Sequence, residues 1–229
     1  MHDAGIKGMI RVGDGRKSDS WAEINVVVDI FRSTTTIPMI LAGGARYILP
    51  FRDVRKAIEF KRKNPEIVLV GEKYGIKPPY FDYDNSPAEV SAADLSGKVV
   101  AFTSTNGTYV LSRIKQGRVL FSSYVNLSAT VSVIRKQQDV LILPSNRPIG
   151  KAQEDILFAN LLKLMAEGQK VDLEEYTRKT AEINRNIIAG VSERDLEFCL
   201  KVDYTGIVPE YIDGRIVQSP DSGENGRTA

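Results

Sequence analysis

Val26-Val27-Val28-Asp29-Ile30-Phe31-Arg32-Ser33-Thr34-Thr35-Thr36 is the stretch on which the reading of this chain turns. Three consecutive β-branched residues predict a fully buried strand. The strand runs into an acid, an arginine and four hydroxyl residues. An apolar run from Ile37 to Ala42, closed by Gly43-Gly44, then predicts a helix. Ser33 and the threonines therefore belong to a strand-to-helix turn. Free N–H groups and the positive end of a helix dipole make such a turn an anion site. Arg32 adds a planar cation suited to phosphate, carboxylate or sulfonate. Asp29 adds a carboxylate able to hold a metal or attack phosphorus.

The same design recurs downstream. Lys98 to Phe102 reads as a strand that enters Thr103-Ser104-Thr105-Asn106-Gly107-Thr108 and then a helix over Tyr109 to Lys115. Thr35 and Thr108 are as far apart in the chain as Gly44 and Gly117, the trace an internal duplication would leave. Two helix N-termini facing one cleft would grip a ligand with more than one acidic group. Further strands are expected over Arg46–Leu49, Ile67–Val70, Arg118–Ser122 and Val140–Leu143. Their polar ends are Gly71-Glu72, Ser123 with Asn126, and Pro144-Ser145-Asn146-Arg147. Asp53 reads as the cap of a helix over Val54–Lys63, and Leu127–Lys136 as another. Gln153-Glu154-Asp155 opens a helix through Met165, its acids either complementing the dipole or serving the site. Asp172 with Glu175, and Ser192 with Asp195, resemble capping boxes for helices near 173–189 and after 192.

Lys73 to Glu89 is a long connection, and its Tyr74, Tyr80, Phe81 and Tyr83 argue that it is ordered. Asp82, Asp84, Asn85 and Ser86 are its polar candidates, with plain turn chemistry as the other reading of residues 84–87. Met9–Val12 predicts an edge strand. Gly13 to Ser18 lacks the spacing of a phosphate loop and reads as a hairpin turn or flexible loop. Val208–Val217 suggests a hairpin about Asp213-Gly214. The alternation of strand and helix, about six times over, gives an α/β fold: three layers, a largely parallel or mixed sheet, helices on both faces. The polar tips lie at the C-terminal ends of strands, where such sheets bind ligands. They are expected to meet as one electropositive, carboxylate-edged hollow. The organisation is an N-terminal segment (1–23), one α/β domain (24–217) and a flexible tail (218–229).

Composition narrows the function classes. Lys and Arg number 31 and Asp and Glu 29, well mixed, which argues against a nucleic-acid surface. No apolar stretch approaches a membrane span, and no signal-peptide pattern opens the chain, so a cytoplasmic address is expected. The single Cys199 cannot pair internally, lacks the Cys-x5-Arg pattern of thiol phosphatases, and reads as a buried apolar residue. The one histidine, His2, stands near a terminus expected to be mobile, which argues against a histidine base or a multi-histidine metal site.

Taken together, several segments resemble the 2-phosphosulfolactate phosphatases, Mg²⁺-dependent enzymes of the coenzyme M pathway and its relatives. They are residues 26–36; Gly71-Glu72; Phe81-Asp82; Asn85-Ser86-Pro87-Ala88-Glu89; Thr105-Asn106-Gly107-Thr108; Asn126; Glu154-Asp155; Phe198-Cys199; and Val208-Pro209. The resemblance spans roughly residues 24–217. It implies hydrolysis of a phosphate ester on a small 2-hydroxy acid, 2-phospho-3-sulfolactate giving 3-sulfolactate and phosphate. It also implies Mg²⁺ held by some of Asp29, Glu72 and Asp155, with Arg32 completing the catalytic group. Ser33, Thr34, Thr35, Asn85, Ser86, Thr105, Asn106, Gly107, Thr108 and Asn126 would bind the substrate. A homodimer stays open, as does the choice of carboxylate or water as nucleophile. Phe31 stands where haloacid-dehalogenase phosphatases carry their second Asp. The family pattern has Gly where this chain has Tyr80 and Asp84, and Ala-Gly where it has Ser145-Asn146. Two alternatives follow: a phosphatase for a different phosphorylated carboxylic acid, or a non-catalytic anion-binding relative.

Overall fold

Val26, Val27 and Val28 lie in a strand, Ile24–Val28, that is buried at every position. The computed structural model describes residues 9–185 and 191–222. His2, residues 223–229 of the expected tail, and the last residues of the helix expected to reach 189 lie outside them. The strands are β1 (Met9–Val12), β2 (Ile24–Val28), β3 (Tyr47–Phe51), β4 (Val68–Gly71), β5 (Val99–Thr103), β6 (Arg118–Ser122), β7 (Asp139–Pro144), β8 (Pro209–Ile212) and β9 (Arg215–Gln218). The helices are α1 (Ser33–Ala42), α2 (Val54–Lys63), α3 (Pro87–Ser91), α4 (Gly107–Arg113), α5 (Leu127–Ile134), α6 (Gln153–Ala166), α7 (Leu173–Arg185) and α8 (Glu193–Cys199).

The strands form one sheet in the order β1-β7-β2-β6-β8-β9-β3-β5-β4. Its two wings are parallel, and the antiparallel hairpin β8–β9 joins them. Side-chain alternation sorts the core into layers. Val27, Phe121, Leu143, Val100 and Phe102 face α1 and α4 on one side. Val26, Val28, Leu120, Val140 and Ile142 face α5 and α6 on the other. Leu69 and Ala101 face α2 there as well. The fold is thus a three-layer α/β arrangement with a mixed sheet.

Two β-α-β-α-β units follow one another in the chain, β2 to β4 and β5 to β7. Their first strands are exchanged: β2 lies between β6 and β7, and β5 lies between β3 and β4. Each unit thereby completes the other's wing. The exchange sets α1 and α4 side by side on one face, with their N-termini at the same edge of the sheet.

Several expectations change in detail. β1 pairs with β7 in parallel, so Gly13–Ser18 is no hairpin. Gly13 and Gly15 donate to the carbonyls of Ile142 and Pro144, carrying the ladder to the tip of β7. The tail does not begin at 218: Gln218 closes β9, and buried Ser219 donates its hydroxyl to Glu210. α1 begins at Ser33 rather than Ile37, because the hydroxyl residues build its first turn.

Gly71 ends β4 at φ +146°, and a Cβ there would strike the Thr103 carbonyl of the neighbouring strand. Gly71→Ala is expected to lower unfolding free energy by about 2–4 kcal/mol, from overpacking and backbone strain. Urea denaturation reads it directly, and an unchanged midpoint would refute the close approach.

Candidate active site

The turn after β2 is built by its own threonines. Thr34 N–H donates to the Asp29 carbonyl, and Thr35 and Thr36 N–H donate to the Arg32 carbonyl. Thr34 Oγ1 accepts from the Asp29 N–H, while Thr35 and Thr36 hydroxyls donate to the Ile30 and Arg32 carbonyls. All three side chains are fully buried. The expected substrate contacts of Thr34 and Thr35 are therefore not made available. These residues shape the turn, because a β-branched hydroxyl can turn back onto local backbone. Ser33 alone of the group faces the cleft, and its hydroxyl donates to Asp29 Oδ2 at 2.8 Å.

The second turn meets the first at Gly107. A Cβ there would lie 2.9 Å from Ser33 Cβ, so only glycine lets the N-termini of α1 and α4 touch. Its N–H favours the charged form of Asp29. Thr105 and Asn106 continue the cleft wall. Thr105 serves as a clamp: its N–H and hydroxyl donate to the two oxygens of Glu72, at 2.5 and 2.8 Å. Gly75 N–H donates to Glu72 Oε2 at 2.7 Å. Glu72 is thereby held in one orientation at the tip of β4.

The cleft, about 450 Å³, is lined by Asp29, Arg32, Ser33, Glu72, Asn85, Thr105 and Asn106, all expected site residues. Other expected residues lie elsewhere. Asp155 sits behind the β2 turn, accepting from the Ile30 N–H and the Ser145 hydroxyl, both at 2.9 Å. Thr108 bonds back to Ser104. Asn126 bridges the Phe121 and Ile207 carbonyls inside the core. Ser86 caps α3 and donates to Asp195. In each case burial commits the polar atoms to backbone or side-chain partners, which removes them from the cleft.

Asp84, a polar candidate of the long connection, also lines the cleft, whereas other lining residues were not assigned to the site by sequence reasoning: Phe31, Tyr74, Gly75, Arg147, Pro148, Val191 and Ser192. Arg147 was visible as the polar end of β7, and Ser192 only as a helix cap. Arg16, from the segment read as a hairpin turn or flexible loop, donates to Asn106 Oδ1 at 2.7 Å and so positions the second turn.

The electrostatics differ from the expected electropositive hollow. Arg32 Nη1 is shared by Asp84 (2.9 Å) and Asp195 (2.8 Å), and Arg147 pairs with Glu154 (2.6 Å). Burial works against the charge of Arg32, but the two aspartates outweigh it and raise its pKa. Burial pushes Asp29 up to about 6, and the negative Glu72 and Glu154 add to the rise against the Ser33 hydrogen bond. Burial also raises Asp155 well above the carboxylate range, with Asp29 and Glu154 contributing, and raises Glu154. The acids outnumber the cations. Among the described residues, no group of three or more Asp, Glu, His or Cys side chains is placed to hold a metal, so Asp29, Glu72 and Asp155 do not form a ready cage. Asp29 and Glu72 do share the cleft wall. Glu154 Oε2 and Asn85 Oδ1 are buried without a hydrogen-bond partner among the described residues.

Comparison with known proteins follows the same path. A family model described as 2-phosphosulpholactate phosphatase matches residues 11–214. A probable 2-phosphosulfolactate phosphatase of Thermoplasma acidophilum is 86% identical over 214 residues, 93% of this chain and 97% of the relative. One from Thermoplasma volcanium is 60% identical over 93% of this chain and 100% of its own length. One from Carboxydothermus hydrogenoformans is 34% identical over 84% of this chain and 88% of its own.

Asp29 titrates near the ordinary 3.8 when unfolded and near 6 when folded. Between those values the folded protein keeps a proton that the unfolded chain has lost. Its stabilising effect is complete below 3.8 and is lost as pH rises through 6. The loss is on the order of 3 kcal/mol. In metal-free buffer, Asp29→Asn is expected to flatten this part of the stability–pH curve. Urea denaturation across the window checks it, and an unchanged slope would refute the buried, proton-retaining Asp29.

Proposed function

The chain belongs to the 2-phosphosulpholactate phosphatase family and is a phosphoric monoester hydrolase; on that premise we propose that it is a Mg²⁺-dependent phosphatase converting 2-phospho-3-sulfolactate to 3-sulfolactate and phosphate. The observation that carries this reading is the juxtaposition of the Asp29 and Glu72 carboxylates with Ser33, Asn106 and Arg32 around one small cleft. A volume of about 450 Å³ suits a small phosphorylated acid.

The residues fit a divalent cation. Mg²⁺ takes one or two carboxylates plus water and phosphate oxygens, and does not require a full protein cage. Asp29 and Glu72, both on the cleft wall, would hold it, and the nearby Glu154 keeps one buried oxygen without a hydrogen-bond partner among the described residues. When bound, the ion supplies charge neutralisation at the phosphoryl oxygens. The chain's own groups do the rest. Ser33 orients Asp29 through its hydroxyl, and Thr105 with Gly75 orients Glu72. Arg32, Arg147 and Asn106, which line the cleft, would bind the substrate's acidic groups, with Arg16 holding Asn106. Asp155 acts as a positioning residue by fixing the backbone at Ile30.

A role in coenzyme M biosynthesis, a cytoplasmic address and a homodimer complete the proposal. The free, buried Cys199 fits a reducing compartment, and among the described residues no helix is long and apolar enough to cross a membrane.

Phosphate release from 2-phospho-3-sulfolactate tests the reading. Release is expected with Mg²⁺ and not with chelator, and Asp29→Asn is expected to lose about 10³-fold or more in rate. Equal rates with chelator or in Asp29→Asn would overturn the assigned roles. Release only from other phosphorylated 2-hydroxy acids would move the substrate, and anion binding without release would leave a binding relative.

A further inference from the structure

Arg32 presents a single nitrogen, Nη1, to two carboxylates, Asp84 at 2.9 Å and Asp195 at 2.8 Å. The two acids differ in what else depends on them. Asp195, buried, also accepts from the Ser86 hydroxyl and the Ala88 N–H, and so ties α8 to α3. Asp84 lines the cleft, and its other oxygen accepts the N–H of the adjoining Asn85. Its side chain is 20% exposed, against 4% for Asp195. One guanidinium facing two carboxylates already carries an excess of negative charge. An anionic group arriving at Arg32 meets that excess and must compete with it. Asp195 cannot yield without undoing the α3–α8 contact, whereas Asp84 holds nothing beyond its own turn.

We propose that Asp84 is a specificity-determining residue, a resident carboxylate that occupies Arg32 where a ligand's acidic group would bind and so weakens the hold on highly charged anions. The proposal rests on the reading of this cleft as the site for a small phosphorylated acid. It deepens that reading: Asp84 favours substrates that present a singly charged acid group, such as a carboxylate or sulfonate, to Arg32 over a doubly charged phosphate. It also assigns the two aspartates opposite duties, Asp195 to build the site and Asp84 to set its selectivity.

Inorganic phosphate is the probe, with binding followed by titration calorimetry on the full chain. Wild type, Asp84→Asn and Asp84→Gly are compared at pH 8, where phosphate is mostly a dianion, and formate serves as a monoanion. Both variants are expected to bind phosphate about tenfold or more tightly than wild type, with a smaller gain for formate. Damage to the fold weakens binding, so a gain cannot arise from a merely structural role. Thermal melting verifies folding, and the glycine variant decides the matter if the asparagine variant fails to fold. Equal or weaker phosphate affinity in a folded variant, or no measurable binding in all three proteins, overturns the proposal. Catalysis is scored apart: a wild type that releases no phosphate from any phosphorylated acid sinks the phosphatase reading, while the binding data still decide Asp84.

Discussion

Ser33 and Gly107 touch, and the geometry of the cleft depends on that contact. It exists because β2 and β5 have exchanged wings, which sets α1 and α4 next to each other at one edge of the sheet. A side chain at 107 would collide with Ser33 and separate the two turns. Asp29 would then lose the nearby Gly107 N–H, and Thr105 would move relative to Glu72. A single missing Cβ thus links the order of strands in the sheet to the spacing of two carboxylates. The link is steric, and a close-packed interior transmits such displacements because it has few voids to absorb them.

Electrostatics imposes the second constraint. Asp29, Glu72, Glu154 and Asp155 are each under a tenth exposed, close to one another, in a fold that could have buried apolar residues there. Burying acids costs free energy unless hydrogen bonds or counter-charges offset it. Here the offset is uneven. Glu72 receives three donors and Asp155 two, whereas Glu154 keeps one oxygen unpartnered. Arg32 and Arg147 are already engaged by acids of the fold. The region is therefore short of positive charge while its shape suits an acidic ligand, a combination that a divalent cation resolves. Strain of this kind, retained at a cleft, is a usual mark of a site selected for chemistry.

The approach of α8 adds a structural layer beneath the site. Asp195 looks in the sequence like the acid of a capping box, and its N–H does accept that role by donating to Ser192. Its carboxylate does more, reaching Arg32, Ser86 and Ala88. One residue from the last helix thereby fixes the arginine of the first turn and the start of α3. Ser192 and Val191 reach the cleft wall by the same approach.

Much of the fold was legible from the chain alone. β-branched runs, the Asp53 and Ser192 caps and the Gly-Pro punctuation act over a few residues, so strands, helices and their polar tips follow from local chemistry. The tips named in advance, Asp29, Ser33, Glu72, Asn85, Thr105 and Asn106, do line one cleft. Which neighbours turn inward was not legible. Ser33 faces the cleft while Thr34, Thr35 and Thr36 face backbone, and Glu154 and Asp155 serve different partners although adjacent in one helix. Arg16, Arg147 and Asp195 come from loops and a helix far along the chain. Their places were decided by strand exchange and by the packing of α6 and α8, which bring Arg16 to Asn106 across 90 positions of chain and Asp195 to Arg32 across 163. Local composition carries no record of such distances. The sequence alone determined the elements and their polar ends; tertiary packing decided which charges meet, because direction and distance in space, not order in the chain, govern hydrogen bonds and Coulomb forces.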